Sequence, residues 1–222
     1  MKASVNLKPA LVFLDDLATN NNKAWFDAHR PRYEEAKAQF EEFVQLLIAE
    51  IDKFDALGIL SAKECIFRIN RDVRFSKDKS PYKTNMGAYI TAGGKKGTRQ
   101  GYYFHIQPHN QSFLAGGLHM PTPEQLAKFR KAIDRDAAPF KKIIRSKEFV
   151  KYLGALNGEK LTTAPKGYPK DHPDIELLKL KEVVVGHRLN DKEIASPNVV
   201  ANTARAFRAM KPFLHYLDSI LK

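Results

Sequence analysis

The stretch Gly101-Tyr-Tyr-Phe-His-Ile-Gln107, Pro108-His-Asn-Gln111, Ser112-Phe-Leu-Ala-Gly-Gly-Leu118 decides the fold class. Tyr103, His105 and Gln107 share one parity, while Tyr102, Phe104 and Ile106 share the other. Alternation of this kind marks a strand with one face on a core. Pro108–Gln111 has the composition of a hairpin turn, and a second apolar run begins at Ser112. The stretch predicts two antiparallel strands.

Working outward, Met86–Thr91 predicts another strand, joined to the pair by the flexible basic loop Ala92-Gly-Gly-Lys-Lys-Gly-Thr-Arg99. Upstream, Cys65, Phe67 and Ile69 alternate with Ile66, Arg68 and Asn70. That predicts a leading strand with Arg68 on the face opposite Phe67 and Ile69. Val183–Leu189 predicts a further strand returning to the sheet. Consecutive short strands with tight turns form an antiparallel meander.

Helices flank these strands. Pro9–Leu17 opens with proline, and Asn20, Asn21 and Asn22 break the chain and cap a helix at Lys23 that carries Trp25 and Phe26. Pro31 suits the first turn of a long helix reaching about Phe54. Its apolar stripe is Tyr33, Phe40, Phe43, Val44, Leu47, Ile48 and Ile51. After the meander, a Thr122 cap with Pro123 and Glu124 starts helices whose apolar faces include Leu126, Phe129, Ile133, Phe140, Ile143 and Ile144. Asn190 or Ser196 caps the last helical turns. The expected fold is α+β: an antiparallel sheet of about five strands flanked by N- and C-terminal helices. One domain is expected over residues 1–222, with a short tail at 1–8.

The chain has 222 residues, 43% of them apolar and 28% charged, which suits a sizeable core. No apolar run approaches the ~20 residues that cross a bilayer, so no membrane partner is expected. Met1–Pro9 lacks the pattern of a secretion signal. Cys65 is the sole cysteine, which excludes an intrachain disulfide or a multi-thiolate metal site. A reducing, cytoplasmic setting is expected.

The formal charge is +12, and Lys63–Arg99 holds ten basic residues against three acidic ones, +7 of that total. The excess is therefore local. Within it lies Phe67-Arg-Ile-Asn-Arg-Asp-Val-Arg-Phe-Ser-Lys-Asp-Lys-Ser-Pro-Tyr-Lys83. Arg68, Arg71 and Arg74 recur every third residue, with Lys77, Lys79 and Lys83 after them. Guanidinium forks match phosphates and carboxylates. The same letters, with Asp72 and Asp78 among them, would also build an internal Arg–Asp network.

The motifs Asn20–Asn22 with Trp25-Phe26, Phe67-Arg68-Ile69 with Arg71–Lys79, Pro81-Tyr82-Lys83, Gly101–Tyr103, Gly116-Gly117 with Met120-Pro121, and Lys166–Tyr168 with Lys170–Pro173 span nearly the whole chain. In them the sequence resembles the bacterial and fungal family of conserved hypothetical proteins named domain of unknown function 2461. The resemblance implies a single intact domain and carries no activity.

Other candidates are weaker. His105, His109 and His119 suggest ordinary histidines more than a metal site, because a turn breaks their spacing; no metal and no cofactor is expected. Cys65 reads as a small core residue. Gly93–Thr98 lacks the spacing of a phosphate loop and reads as a mobile hairpin tip. Lys170–Pro173 reads as an ordered loop with Asp171 capping.

Three functions are expected from these residues. The first is an anion-binding module for nucleic acid or a phosphorylated small molecule, with contacts at Arg68, Arg71, Arg74, Lys77, Lys79 and Lys83. Tyr82 or Tyr103 would stack or hydrogen-bond, and Tyr102 is a further stacking candidate. The second is an enzyme acting on a phosphate- or carboxylate-bearing small molecule, with Asp72 or His105 moving a proton. The third is a structural or partner-binding domain built on the Arg–Asp network.

Overall fold

The structure, a computed structural model, describes residues 5–222. Its helices before the sheet are α1 (Lys8–Thr19), α2 (Lys23–Ala28), α3 (Arg30–Asp52) and the single turn α4 (Ala62–Cys65). The strands are β1 (Met86–Ile90), β2 (Tyr102–Ile106), β3 (Ser112–Leu118) and β4 (Val183–Leu189). Between β3 and β4 lie α5 (Pro123–Arg135), α6 (Ala138–Ile144), α7 (Lys147–Leu153) and α8 (Ile175–Leu178). The chain then forms α9 (Asp191–Ile194) and α10 (Val199–Leu221).

The class is α+β, with one antiparallel sheet in the order β1-β2-β3-β4. The sheet has four strands, not about five. The predicted strand at 65–69 is the one that fails. Ser61 and Glu64 form a capping box that draws Ala62–Cys65 into a helical turn. Beyond that turn the chain makes only isolated bridges, Ile66 with Ala88 and Asn70 with Tyr82. The β2–β3 turn is as expected, with His109 and Asn110 both at positive φ (63° and 58°).

The chain divides into two compact units. The first takes residues 5–98, Tyr102–Leu114 and Arg188–Arg205. Its core is the α3 stripe of Phe40, Phe43, Val44, Leu47, Ile48 and Ile51 under the inner face of the sheet. Phe104 from β2 lies 4.6 Å from Phe43 and 6.4 Å from Phe40, ring centre to ring centre. The Tyr102 hydroxyl donates to the buried carboxylate of Asp55 at 2.7 Å. Of the expected tail at 1–8, residues 1–4 lie outside the described residues. Val5 and Leu7 are core side chains, and Lys8 already belongs to α1.

The second unit takes Arg99–Gly101, Ala115–His187 and Ala206–Lys222. Phe129, Phe140, Phe149 and Phe213 are fully buried, and Phe140 and Phe149 both meet Phe213 within 6 Å. Gly116 and Gly117 have a steric reason. A Cβ on Gly116 would fall 2.4 Å from the Met210 sulfur, and one on Gly117, at φ 118°, 2.2 Å from the Val183 carbonyl. Thr122 caps α5 and Asn190 caps α9 through reciprocal boxes with Gln125 and Glu193. Among the described residues no helix is long and apolar enough to cross a membrane.

Phe104→Ala is expected to lower stability by about 3–5 kcal/mol in urea unfolding, since a buried ring leaves a cavity. The exposed Val12→Ala is expected to stay within about 0.5 kcal/mol. Similar small effects from both would contradict the core as described.

Candidate functional site

Three consecutive asparagines stand near the basic segment, each held by a different bond. Asn20 donates from Nδ2 to the Asp16 carbonyl at 2.9 Å at the end of α1. Asn22 caps α2 by accepting from the Trp25 N–H at 2.9 Å. Asn21 accepts from the Tyr82 N–H at 3.1 Å and donates to the Tyr82 carbonyl at 2.9 Å. The Tyr82 ring stacks on Phe26 at 4.0 Å and is only 7% exposed. Tyr82 is therefore a core anchor, out of reach of a bound base. Just beyond it, the Lys83 N–H donates to the Ile69 carbonyl at 2.8 Å, and the Phe67 N–H to the Gly87 carbonyl at 2.9 Å. Segment 66–70 thus lies along the edge strand β1.

The basic segment divides by partner. Arg71 donates from its backbone to the Pro81 carbonyl and from Nη1 to Asp78 and the Ser80 carbonyl, closing the base of the 71–80 excursion. Its side chain is 25% exposed. Ser80, through hydroxyl and N–H, and then Arg71 pull the Asp78 carboxyl down to about 2. Arg74 grips Asp72 with Nε at 3.0 Å and Nη2 at 2.7 Å, and Lys79 donates to the Val73 carbonyl at 3.0 Å. Arg74 holds the Asp72 carboxyl below its ordinary range, which makes Asp72 a poor proton acceptor. Lys77 is exposed and bonds to nothing among the described residues. Phe75, at 97% exposure, projects from the excursion beside the Arg74 guanidinium.

Arg68 and Lys83 differ from these. Neither side chain makes a hydrogen bond or ion pair among the described residues. Burial, and then the nearby Arg68 guanidinium, hold the Lys83 ammonium below its ordinary value. Arg68 lines a groove of about 630 Å³ within the first unit. Tyr33, Lys37, Phe40 and Glu41 of α3 contribute to it; Lys63, Ile66–Asn70, Met86 and Lys95 complete the lining. Lys95 donates from Nζ to the carbonyls of Lys63 and Ile66. It sits on a 3-10 turn (Gly94–Lys96) whose Gly94 is buried, so the expected mobile tip is a packed turn.

Phe67 corrects the expected strand parity. It is 40% exposed and lines the groove together with Arg68, whereas Cys65 and Ile69 are buried. The Nζ atoms of Lys83 and Lys95 lie 5.7 Å and 5.8 Å from its ring centre. Lys37, Lys63, Lys95, Tyr33 and the exposed face of Phe67 were not among the expected contacts. The Ser61–Glu64 box is the signal that takes the start of the expected strand into a helical turn and frees Phe67 from its parity.

On β2, the parity of Tyr103, His105 and Gln107 is as read. Tyr103 is half-buried, in edge contact with Phe67 at 6.3 Å, and lies over Gly87, where a Cβ would come 2.8 Å from its hydroxyl. His105 is 8% exposed and stacks on Phe113 at 4.5 Å. Its Nδ1 is 3.1 Å from the Tyr103 hydroxyl and its Nε2 is 2.8 Å from Gln107 Oε1. A neutral ring protonated at Nε2 satisfies both, with Tyr103 donating. Burial lowers the His105 pKa, partly offset by Gln107.

Remaining candidates have partners of their own. His109 Nε2 meets Asp15 at 2.8 Å and His119 meets Glu182 at 3.2 Å. Among the described residues there is no group of three or more metal-ligating side chains. Cys65 is fully buried, and burial pushes its thiol up to about 11, away from nucleophilic use. His172 accepts from the Asp174 N–H at 3.0 Å and meets Asp134 at 3.3 Å, while Asp171 is exposed and caps no helix among the described residues. A second cavity, about 460 Å³ in the second unit, has Lys128, Lys131 and Arg135 in its wall. There Lys128 already donates to the carbonyls of Leu221 and Lys222.

His105 gives a signed pH dependence. Its folded pKa lies below its ordinary value of 6.5, so its contribution is complete above that pH and is lost as pH falls through the depressed value. Urea unfolding between about pH 8 and about pH 5 is expected to show wild type losing stability relative to His105→Gln. Parallel curves would contradict a neutral, buried His105.

No curated protein and no solved structure matches the chain. A family model described as "Conserved hypothetical protein (DUF2461)" matches residues 9–216. The resemblance carried by the motifs is confirmed over nearly the whole length, and the chain belongs to the domain of unknown function 2461 family.

Proposed function

We propose that the protein is an anion-binding module that takes phosphate-bearing ligands, nucleic acid or phosphorylated small molecules, at the groove beside segment 66–70. The observation that supports this most is the pairing of Arg68 with Lys83. Neither side chain is hydrogen-bonded or ion-paired among the described residues, and burial, then the nearby Arg68 guanidinium, hold the Lys83 ammonium below its ordinary pKa. An arrangement that costs folding energy is kept where a ligand relieves it. Lys63 and Lys95 line the groove with Arg68, and Lys83 stands beside it, its Nζ 5.7 Å from the Phe67 ring centre. Arg71, Arg74 and Lys79 fit the internal-network reading instead, so the segment combines a structural half with a binding half. The acid–base alternative has less support, since Asp72 is held by Arg74 and both ring nitrogens of His105 are engaged. A reducing, cytoplasmic setting goes with a lone buried thiol.

Fluorescence anisotropy with short labelled single strands, at low and near-physiological salt, tests this. Arg68→Gln and Lys83→Gln are each expected to weaken binding about tenfold or more, and to lower the salt slope by about one. Arg74→Gln is expected to stay within about twofold of wild type, as its guanidinium is already paired. Competition by pyrophosphate should show the same pattern. Absence of binding at low salt by both the strands and pyrophosphate, or equal loss in all three variants, would overturn the proposal.

A further inference from the structure

We infer that the anion bound in this groove carries a planar aromatic base, so that its ligand is a nucleoside phosphate. This rests on the anion-binding proposal and deepens it. A bare phosphate needs only converging donors, whereas this groove of about 630 Å³ is within the range of sites that enclose an organic ligand. Its accessible surface is partly aromatic. Phe67 is 40% exposed and Tyr33 is half-buried, both in the groove wall.

The cations are arranged around that aromatic surface. Lys83 Nζ and Lys95 Nζ stand 5.7 Å and 5.8 Å from the Phe67 ring centre, and Arg68 is the next residue. A base stacked on Phe67 would have its phosphate within reach of these groups. The Lys95 ammonium is steered by two carbonyls, Lys63 and Ile66, which leaves one of its three N–H groups for a ligand. The exposed carboxamide of Asn70 also lines the groove and bonds to nothing among the described residues. It offers a donor and an acceptor to a base edge. Aromatic rings interleaved with cations are the chemistry that stacks bases and tracks phosphates.

A nucleoside phosphate can be a free nucleotide or one residue of a single strand. Calorimetric titration of the full chain with adenosine monophosphate, ribose 5-phosphate, a short oligonucleotide and an abasic strand of equal length separates these. Base-bearing ligands are expected to bind about tenfold tighter than their base-free counterparts. Phe67→Leu, which keeps an apolar side chain and is checked for unchanged melting, is expected to abolish that difference. Tighter binding of adenosine monophosphate than of the strand identifies the free nucleotide, and the reverse identifies the strand. Equal binding with and without a base would overturn the inference while the anion site stands. No binding of any of the four would remove both. A base preference that survives Phe67→Leu would also overturn it.

Discussion

Asn21 reads both backbone groups of Tyr82 with one side chain, across 61 residues of sequence. A carboxamide is suited to this because it carries a donor and an acceptor; a carboxylate or hydroxyl would satisfy the pair less completely. The contact is reinforced by the Phe26–Tyr82 stack and by the Lys83–Ile69 backbone bond. Together they fix where the 71–80 excursion leaves the edge of the sheet and where it returns. The orientation of Arg68, the placement of Lys83 and the exposed Phe67 ring all depend on that closure. Two motifs far apart in sequence, the asparagine triplet and Pro81-Tyr82-Lys83, thus serve one local geometry.

The basic segment shows how similar side chains acquire different roles from their partners. Arg71 is enclosed by Asp78 and the Ser80 carbonyl, so its charge is spent on holding the loop. Arg74 and Asp72 form an exposed pair, which adds little to stability. The side chains of Arg68 and Lys83 make no hydrogen bond or ion pair among the described residues, and the guanidinium helps to lower the Lys83 pKa. Such local conflict is more costly than neutral alternatives, and conflicts of this type concentrate where a ligand acts.

Much of the fold was legible because its signals are local. Asn22 and Thr122 cap helices where their types and spacing say they should, while Asn190 caps the short α9 and not the last helix. β2 alternates as its sequence does, with Phe104 on the core and Tyr103 and His105 on the other face. The strand expected at 65–69 was misread because a capping box outweighed alternation, and two isolated bridges do not impose a ladder's parity. The groove was only half legible. Arg68 and Lys83 stood out by charge, but Tyr33 and Lys37 reach the site only through packing of α3, which no local pattern shows. Nor does spacing tell a paired guanidinium from an unpaired one, so six cations looked equivalent. Tyr82 looked like a stacking surface because its partner, Phe26, is distant in sequence.

We propose that Lys83, desolvated and close to Arg68, forms with it a cationic site whose mutual repulsion a bound anion relieves. NMR titration of the Lys83 side chain tests it directly, in the free protein, in Arg68→Gln, and with pyrophosphate bound. The ammonium is expected to titrate below its ordinary 10.5 in the free protein and to move upward in both other cases. A Lys83 that titrates at its ordinary value, or one that ignores both the loss of Arg68 and the anion, would contradict it.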